Sequence, residues 1–254
     1  MTQTPKIKIS NLHKKFGSKN VLSGVNLSVQ PGQSLVIIGG SGSGKSVLLK
    51  NIIGLINADT GSIEIDGKET TRLSSGERNK LMKKFGLLFQ NGALFDSMTV
   101  WQNIAFGLQD STSKEAKDLA INTLKLVGLD QQVAELYPAE LSGGMQKRVA
   151  LARAIAYKPE IIFFDEPTTG LDPIMANVIN NLIVKCSKEL GATTITITHD
   201  LNSARIIADR VAMIFDGKII WDGSIENIDS VDNPYVAQFI AGSTNGPIKI
   251  EGYT

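Results

Sequence analysis

Residues Gly39 to Ser46 read GGSGSGKS, and Ser34 to Ile38 immediately before them read SLVII. A short continuous apolar run ending in glycine reads as a strand buried on both faces, and such strands belong to parallel sheets covered by helices. Val47 to Ile53 (VLLKNII) then reads as a helix, so the glycine loop joins a strand end to a helix start. That order fits the template G-x-x-x-x-G-K-[ST], in which successive backbone N–H groups cradle phosphate oxygens at a helix N-terminus. The chain is therefore expected to be α/β, with a parallel sheet at its centre and a phosphate site at one strand end.

Within this loop the N–H groups of Gly39, Gly40, Ser41, Gly42, Ser43, Gly44 and Val47 are the candidate cradle. Lys45 would neutralise β- and γ-phosphates, and the Ser46 hydroxyl would ligate Mg²⁺. A second apolar run, Ile161 to Phe164, leads straight into Asp165 and Glu166. This puts two carboxylates at the carboxyl end of a strand, where open α/β sheets bind ligands. Asp165 is expected to hold Mg²⁺ through its water shell, and Glu166 to polarise an attacking water as general base. An acidic strand end facing solvent is the plainer alternative. His199, one of two histidines, follows the run Thr193 to Ile197 and could reach a γ-phosphate or the water; a capping or surface role is its alternative.

Composition narrows the classes. The chain has 254 residues and a net charge of +1, which allows a full core and gives no electrostatic reason to expect a nucleic-acid partner. Cys186 is the single cysteine, so an intrachain disulfide is impossible; its helical setting reads as packing in a reducing compartment. Met1 to Ser10 lacks a signal-peptide core, and no apolar run approaches the ~18 residues of a membrane span. The reading is cytosolic, with any membrane role requiring a partner.

Along the chain, Lys6 to Ile9 alternates like a strand, and Gly61 to Gly67 couples an alternating strand to a hairpin signal, suggesting an antiparallel lobe. From about Asn91 to Tyr157 the pattern turns helical, with Lys114 to Val127 at helical spacing and Gly128 as its stop. A last hairpin carries Asp216-Gly217 at its tip.

Leu141-Ser142-Gly143-Gly144-Met145-Gln146, followed by KRVALARA, resembles the signature motif and helix of ATP-binding cassette (ABC) ATPases. Read alone, it is an N-capped helix with a basic exposed face. The resemblance covers nearly the whole chain. It implies a P-loop NTPase (RecA-like) fold with an antiparallel β lobe and an inserted helical lobe, as one domain. Residues 6–90 and 157–224 would form the core with its β lobe, 91–156 the helical lobe, and 225–254 a C-terminal helix and tail. It further implies a head-to-tail homodimer sandwiching two ATP molecules, with Ser142, Gly143 and Gly144 acting on the partner's nucleotide. Phe16 matches the aromatic that stacks on adenine, with Val21 beside it. Gln90 matches the glutamine that contacts Mg²⁺ and the water, and Asp172 lies in the loop that crosses to the partner. Val47 departs from the family, which usually has a second hydroxyl residue there.

The segment after Gln90, Asn91-Gly92-Ala93-Leu94-Phe95 with Val100 and Asn103, resembles that of Mla-type lipid-transport ATPases, as does the tail from Tyr235 to Gly242 and Gly246 to Ile248. This implies a subunit powering phospholipid or related envelope-lipid transport at the cytoplasmic face of the inner membrane. Its partners would be integral-membrane permease subunits (MlaE-like), a small cytosolic regulatory subunit and a lipid-binding substrate protein. Import of a small polar solute such as an amino acid or nucleotide is the competing cargo. A nucleic-acid or ribosome role is disfavoured because the chain has no coiled coil, zinc-binding cysteines or second cassette.

Overall fold

The structure is a computed structural model that describes residues 4–108 and 112–249. The chain divides into two compact units, one built from Met1–Gln30, Ser34–Arg72 and Ile197–Thr254, the other from Pro31–Gln33 and Leu73–Thr196.

In the first unit, strands β1 (Ile7–Phe16) and β2 (Lys19–Val29) pair antiparallel, with β4 (Thr60–Ile65) on the other side of β1 and the two-residue β5 (Lys68–Glu69) beyond it. Ile7 stands opposite both Val29 and Ile65, and all three are buried. The strand faces alternate as the sequence pattern requires, because a period of two puts Ile7 and Ile9 on one side. Asp66 and Gly67 both take positive φ, 53° and 72°, the backbone of a tight hairpin turn whose twist matches its strands.

The same unit carries β3 (Ser34–Ile38), whose last four residues are completely buried, and β9 (Arg210–Phe215), which runs parallel to it with Leu35 opposite Arg210 and Ile38 opposite Met213. β10 (Lys218–Ser224) returns antiparallel from the Asp216-Gly217 turn. Helix α1 (Lys45–Ile52) follows β3, and α7 (Leu201–Ile207) and α8 (Pro234–Ala241) complete the unit.

The second unit holds β6 (Phe85–Leu88) parallel to β7 (Ile161–Asp165), with Phe85 opposite Ile161. β8 (Thr193–Thr198) leads out of it into the first unit. Its helices are α2 (Ser75–Met82), α3 (Val100–Ile104), α4 (Ser113–Leu126), α5 (Gly143–Ile155) and α6 (Pro173–Leu190). α4 begins at a reciprocal cap in which Thr112 accepts from the Glu115 N–H and Glu115 from the Thr112 N–H, and it gives way to Gly128 at φ 70°. α5 lies close over β6: a Cβ on Gly86 would run into the carbonyl of Ala154. Cys186 packs on the buried face of α6 with Ile179 and Ile183, and burial pushes its thiol pKa up. Helix α2 is an element the periodicity reading passed over, although Ser74 and Glu77 form its capping box. Among the described residues no helix is long and apolar enough to cross a membrane.

Candidate active site

The phosphate loop leaves β3 at Gly39 and enters α1 through Gly44, whose φ of 108° is a conformation that L side chains rarely adopt. The packing repeats the demand. A Cβ on Gly44 would lie 2.8 Å from the Val21 carbonyl, and one on Gly39 would collide with the Ile214 carbonyl. Lys45 is 8% exposed, and its ammonium donates to the carbonyls of Gly39 at 2.6 Å and Gly40 at 2.9 Å. The lysine is thereby folded over the loop that it would share with a polyphosphate. No side chain caps α1, which leaves its first N–H groups for an anion. The buried Ser43 hydroxyl has no hydrogen-bond partner, as expected of a group whose acceptor is a ligand. A cavity of about 140 Å³ lies here, lined by Val21 and by Gly42 through Val47.

Of the two residues expected at the base, Val21 lines that cavity and Phe16 does not. Phe16 ends β1 with 49% of its surface exposed, so it is not a buried core phenylalanine. The Lys14 ammonium sits 5.3 Å from its ring centroid and pairs with Asp59 at 2.9 Å. An exposed ring backed by a fixed cation is free to stack on its other face.

In the second unit, β7 delivers Asp165 at its end and then turns sharply. Glu166 has φ 48°, a left-handed conformation costing a non-glycine residue ~1–2 kcal/mol. The turn is closed by the Thr169 N–H on the Glu166 carbonyl at 3.3 Å, and the Thr169 hydroxyl donates to Glu166 Oε2 at 3.2 Å. Glu166 is 8% exposed, so the solvated strand-end alternative does not describe it. Strain of this sort persists where the surroundings hold a functional group in place. Asp172 caps α6, its Oδ1 accepting from the N–H groups of Ile174 and Met175 at 3.0 Å each.

Ser142 caps α5 by accepting from the Met145 N–H at 3.3 Å, and it is exposed together with Gly143, while Gly144 is buried against Met175. Gln146 donates to the carbonyls of Pro138 and Leu141 and so braces the approach to the motif. Gln90 is exposed just beyond β6. The next residues are organised by Asn103, which is completely buried: it accepts from the Phe95 N–H at 2.7 Å and donates to the carbonyls of Phe95, Met98 and Thr99. Phe95 and Phe106, both exposed, stack with centroids 4.5 Å apart. His199 is exposed after β8, in the first unit; Asp200, not His199, caps α7.

Sequence reasoning missed Lys147, Arg153 and Thr169. Thr169 was visible three residues after Glu166, the spacing of a turn. The α5 cations had read as a basic exposed face, yet Lys147 is 7% exposed.

A family model described as ABC transporter matches residues 22–169. The probable ribonucleotide transport ATP-binding protein mkl of Mycobacterium tuberculosis is 40% identical over 95% of this chain and 68% of its own length. The intermembrane phospholipid transport system ATP-binding protein MlaF of Haemophilus influenzae is 39% identical over 96% of this chain and 94% of its own. Among solved structures, a dimeric ATP-binding cassette in a post-hydrolysis state bound to ADP and Pi has TM-score 0.79 and 34% identity, covering 86% of this chain and 98% of that one. Because the matched region spans both glycine-rich stretches and the carboxylate pair, the chain belongs to the ABC transporter family as one of its ATP-hydrolysing, ATP-binding subunits.

Proposed function

We propose that this chain powers the movement of phospholipid or a related envelope lipid through partner permease subunits, hydrolysing ATP as a homodimer on the cytoplasmic face of the membrane. The single observation that carries the chemistry is Glu166, buried, held in a left-handed turn and hydrogen-bonded through its carboxylate by Thr169. Fixed so, it can accept the proton of a water attacking the γ-phosphate. The loop N–H groups and Lys45 bind the phosphates, Ser142 with the N–H groups of Gly143 and Gly144 completes the partner's site, and His199 and Gln90 orient the γ-phosphate and water. Phe16 and Val21 take the base, and Asp172 serves the dimer contact. Ser46, Asp165 and Gln90 offer hydroxyl, carboxylate and amide oxygens, a hard donor set suited to Mg²⁺. When bound, Mg²⁺ supplies charge neutralisation across the β- and γ-phosphates.

The lipid cargo is supported by near-full-length similarity to the MlaF protein and by the Asn103-organised segment after Gln90. Similarity to mkl, named for ribonucleotide transport, keeps nucleotide as the second cargo. The test is to purify the chain from its own membranes with its bound polytopic subunit and reconstitute the assembly in phospholipid vesicles. ATP-dependent transfer of labelled phospholipid, abolished by Glu166→Gln, is expected; ribonucleotide uptake without lipid transfer would replace the lipid reading. Wild-type hydrolysis by Glu166→Gln would remove Glu166 as base, since losing a general base typically costs ~10²–10⁴-fold.

A further inference from the structure

α5 carries two cations that reach toward backbone carbonyls, Lys147 buried and Arg153 half-buried. The Lys147 ammonium donates to the carbonyl of Gln90. Two turns along, Arg153 donates to the carbonyls of Gly92 at 2.5 Å and Ala93 at 2.7 Å. Between them Ala150 is completely buried, and a Cβ on Gly92 would meet its methyl at 3.4 Å. Residues 90–93 are therefore laid along α5 and tied down at both ends. Gly92 takes φ 72°, which glycine adopts freely, but Ala93 takes φ 48°, a conformation a non-glycine residue seldom holds by local preference.

Lys147 also lies in the field of the β7 carboxylates. Burial pulls its pKa down, while the charges of Asp165 and then Glu166 oppose that shift.

We propose that Lys147 is a positioning residue for hydrolysis, anchoring the Gln90 backbone to the signature helix so that the Gln90 side chain is presented to the attacking water. It acts through Gln90 and touches no reacting atom. The inference rests on the reading of Gln90 and Glu166 given above. It adds that the helix carrying Ser142 at its start fixes the glutamine at its second turn, so the two shift together. A donor, more than a positive charge, is what the Gln90 carbonyl requires.

The test uses the full-length chain, with steady-state hydrolysis measured against MgATP concentration and ATP binding measured by fluorescence titration. Lys147→Met, which keeps the bulk and removes the donor, is expected to lower kcat at least about ten-fold while KM and the ATP Kd stay within about two-fold. Lys147→Gln, a neutral donor, should recover kcat to within about three-fold of wild type. In a Gln90→Ala background Lys147→Met should add less than about two-fold, because the group it positions is gone. An unchanged kcat in Lys147→Met, a parallel rise in KM, a glutamine no better than methionine, or full additivity with Gln90→Ala would each overturn the proposal. So would failure of both Lys147→Met and Lys147→Ala to fold, which would make the lysine a folding residue. Glu166→Gln measured alongside separates the two levels. If it is inactive while Lys147→Met is normal, only the positioning role falls; if it hydrolyses normally, the underlying reading falls.

Discussion

Gln238 grips Ile248 by both polar groups of that residue's backbone: its Oε1 accepts from the Ile248 N–H at 2.6 Å, and its Nε2 donates to the Ile248 carbonyl at 3.0 Å. The same Nε2 donates to the Ser243 carbonyl at 3.1 Å, so one side chain, 8% exposed, folds the start of the tail back on α8. A Cβ on Gly246 would overlap the Gln238 side chain, so a larger residue at the crossing would have to displace it. The resemblance to Mla-type ATPases implies that the tail from Gly242 to Thr254 reaches across to the neighbouring subunit; of that tail, residues 250–254 lie outside the described residues.

Gln238→Ala should therefore loosen the tail without touching the phosphate loop's own bonds. Each hydrogen bond lost is worth ~1 kcal/mol, so limited proteolysis should cut between Ser243 and Lys249 faster by roughly ten-fold or more, with ATP affinity retained. Deleting Gly246 to Thr254 should likewise spare folding and ATP binding and lower the yield and transport activity of the assembled complex, because a tethered contact works through effective concentration. Equal assembly with and without the tail would leave it no role in pairing.

Phe16→Ala should weaken ATP binding by ~1–3 kcal/mol, the range for a base stacked on an aromatic ring. GTP should lose as much as ATP, because stacking is tolerant of base identity. Titration of both nucleotides decides it, and a loss confined to ATP would point to hydrogen-bond readout of the base instead.

Ser142→Arg should leave monomer ATP binding intact and prevent ATP-driven pairing, since Ser142 is exposed at the start of α5 and is assigned to the partner's nucleotide. Size-exclusion chromatography with ATP in a Glu166→Gln background reads this directly. A double variant that pairs as fully as Glu166→Gln alone would refute the shared site.

Val47→Thr should keep hydrolysis within a few-fold and raise nucleotide affinity slightly. Val47 is half-buried at the cavity wall, and its carbonyl already accepts from the Asn51 amide at 2.7 Å, so the change adds a hydroxyl without disturbing the helix. One hydrogen bond to the α-phosphate is worth ~0.5–1.5 kcal/mol, more where the acceptor is charged. A severe loss of binding would show that the valine is needed for packing beneath the loop.

Much of this protein is set by short-range pattern. Ser34 to Ile38 is a strand because five successive apolar-compatible residues are stable only when covered, and Gly39 to Ser46 is a phosphate loop because its glycines permit a backbone that other residues resist. Asp66-Gly67 and Asp216-Gly217 make turns, and Ser142, Thr112 and Asp172 cap helices, all through contacts within a few residues. Such features are written locally and can be read locally.

What only the tertiary structure decided is where a polar side chain ends up when its partners are distant in sequence. Lys147 looked like one more solvated cation on α5, and it is buried because Gln90, 57 residues earlier, brings a carbonyl to it, with the β7 carboxylates near enough to stabilise its charge. Arg153 is turned toward Gly92 and Ala93 by the same fold, and Gln238 is a clamp because a tail returns across it. The left-handed turn at Glu166 likewise has no signature in composition: a glutamate accepts that strain only where strand, turn and threonine together leave it no better place. Periodicity says which face of a helix is apolar, but the burial of a charge depends on what the rest of the chain places opposite it, because an ion leaves water only when fixed dipoles and countercharges replace the solvation it gives up.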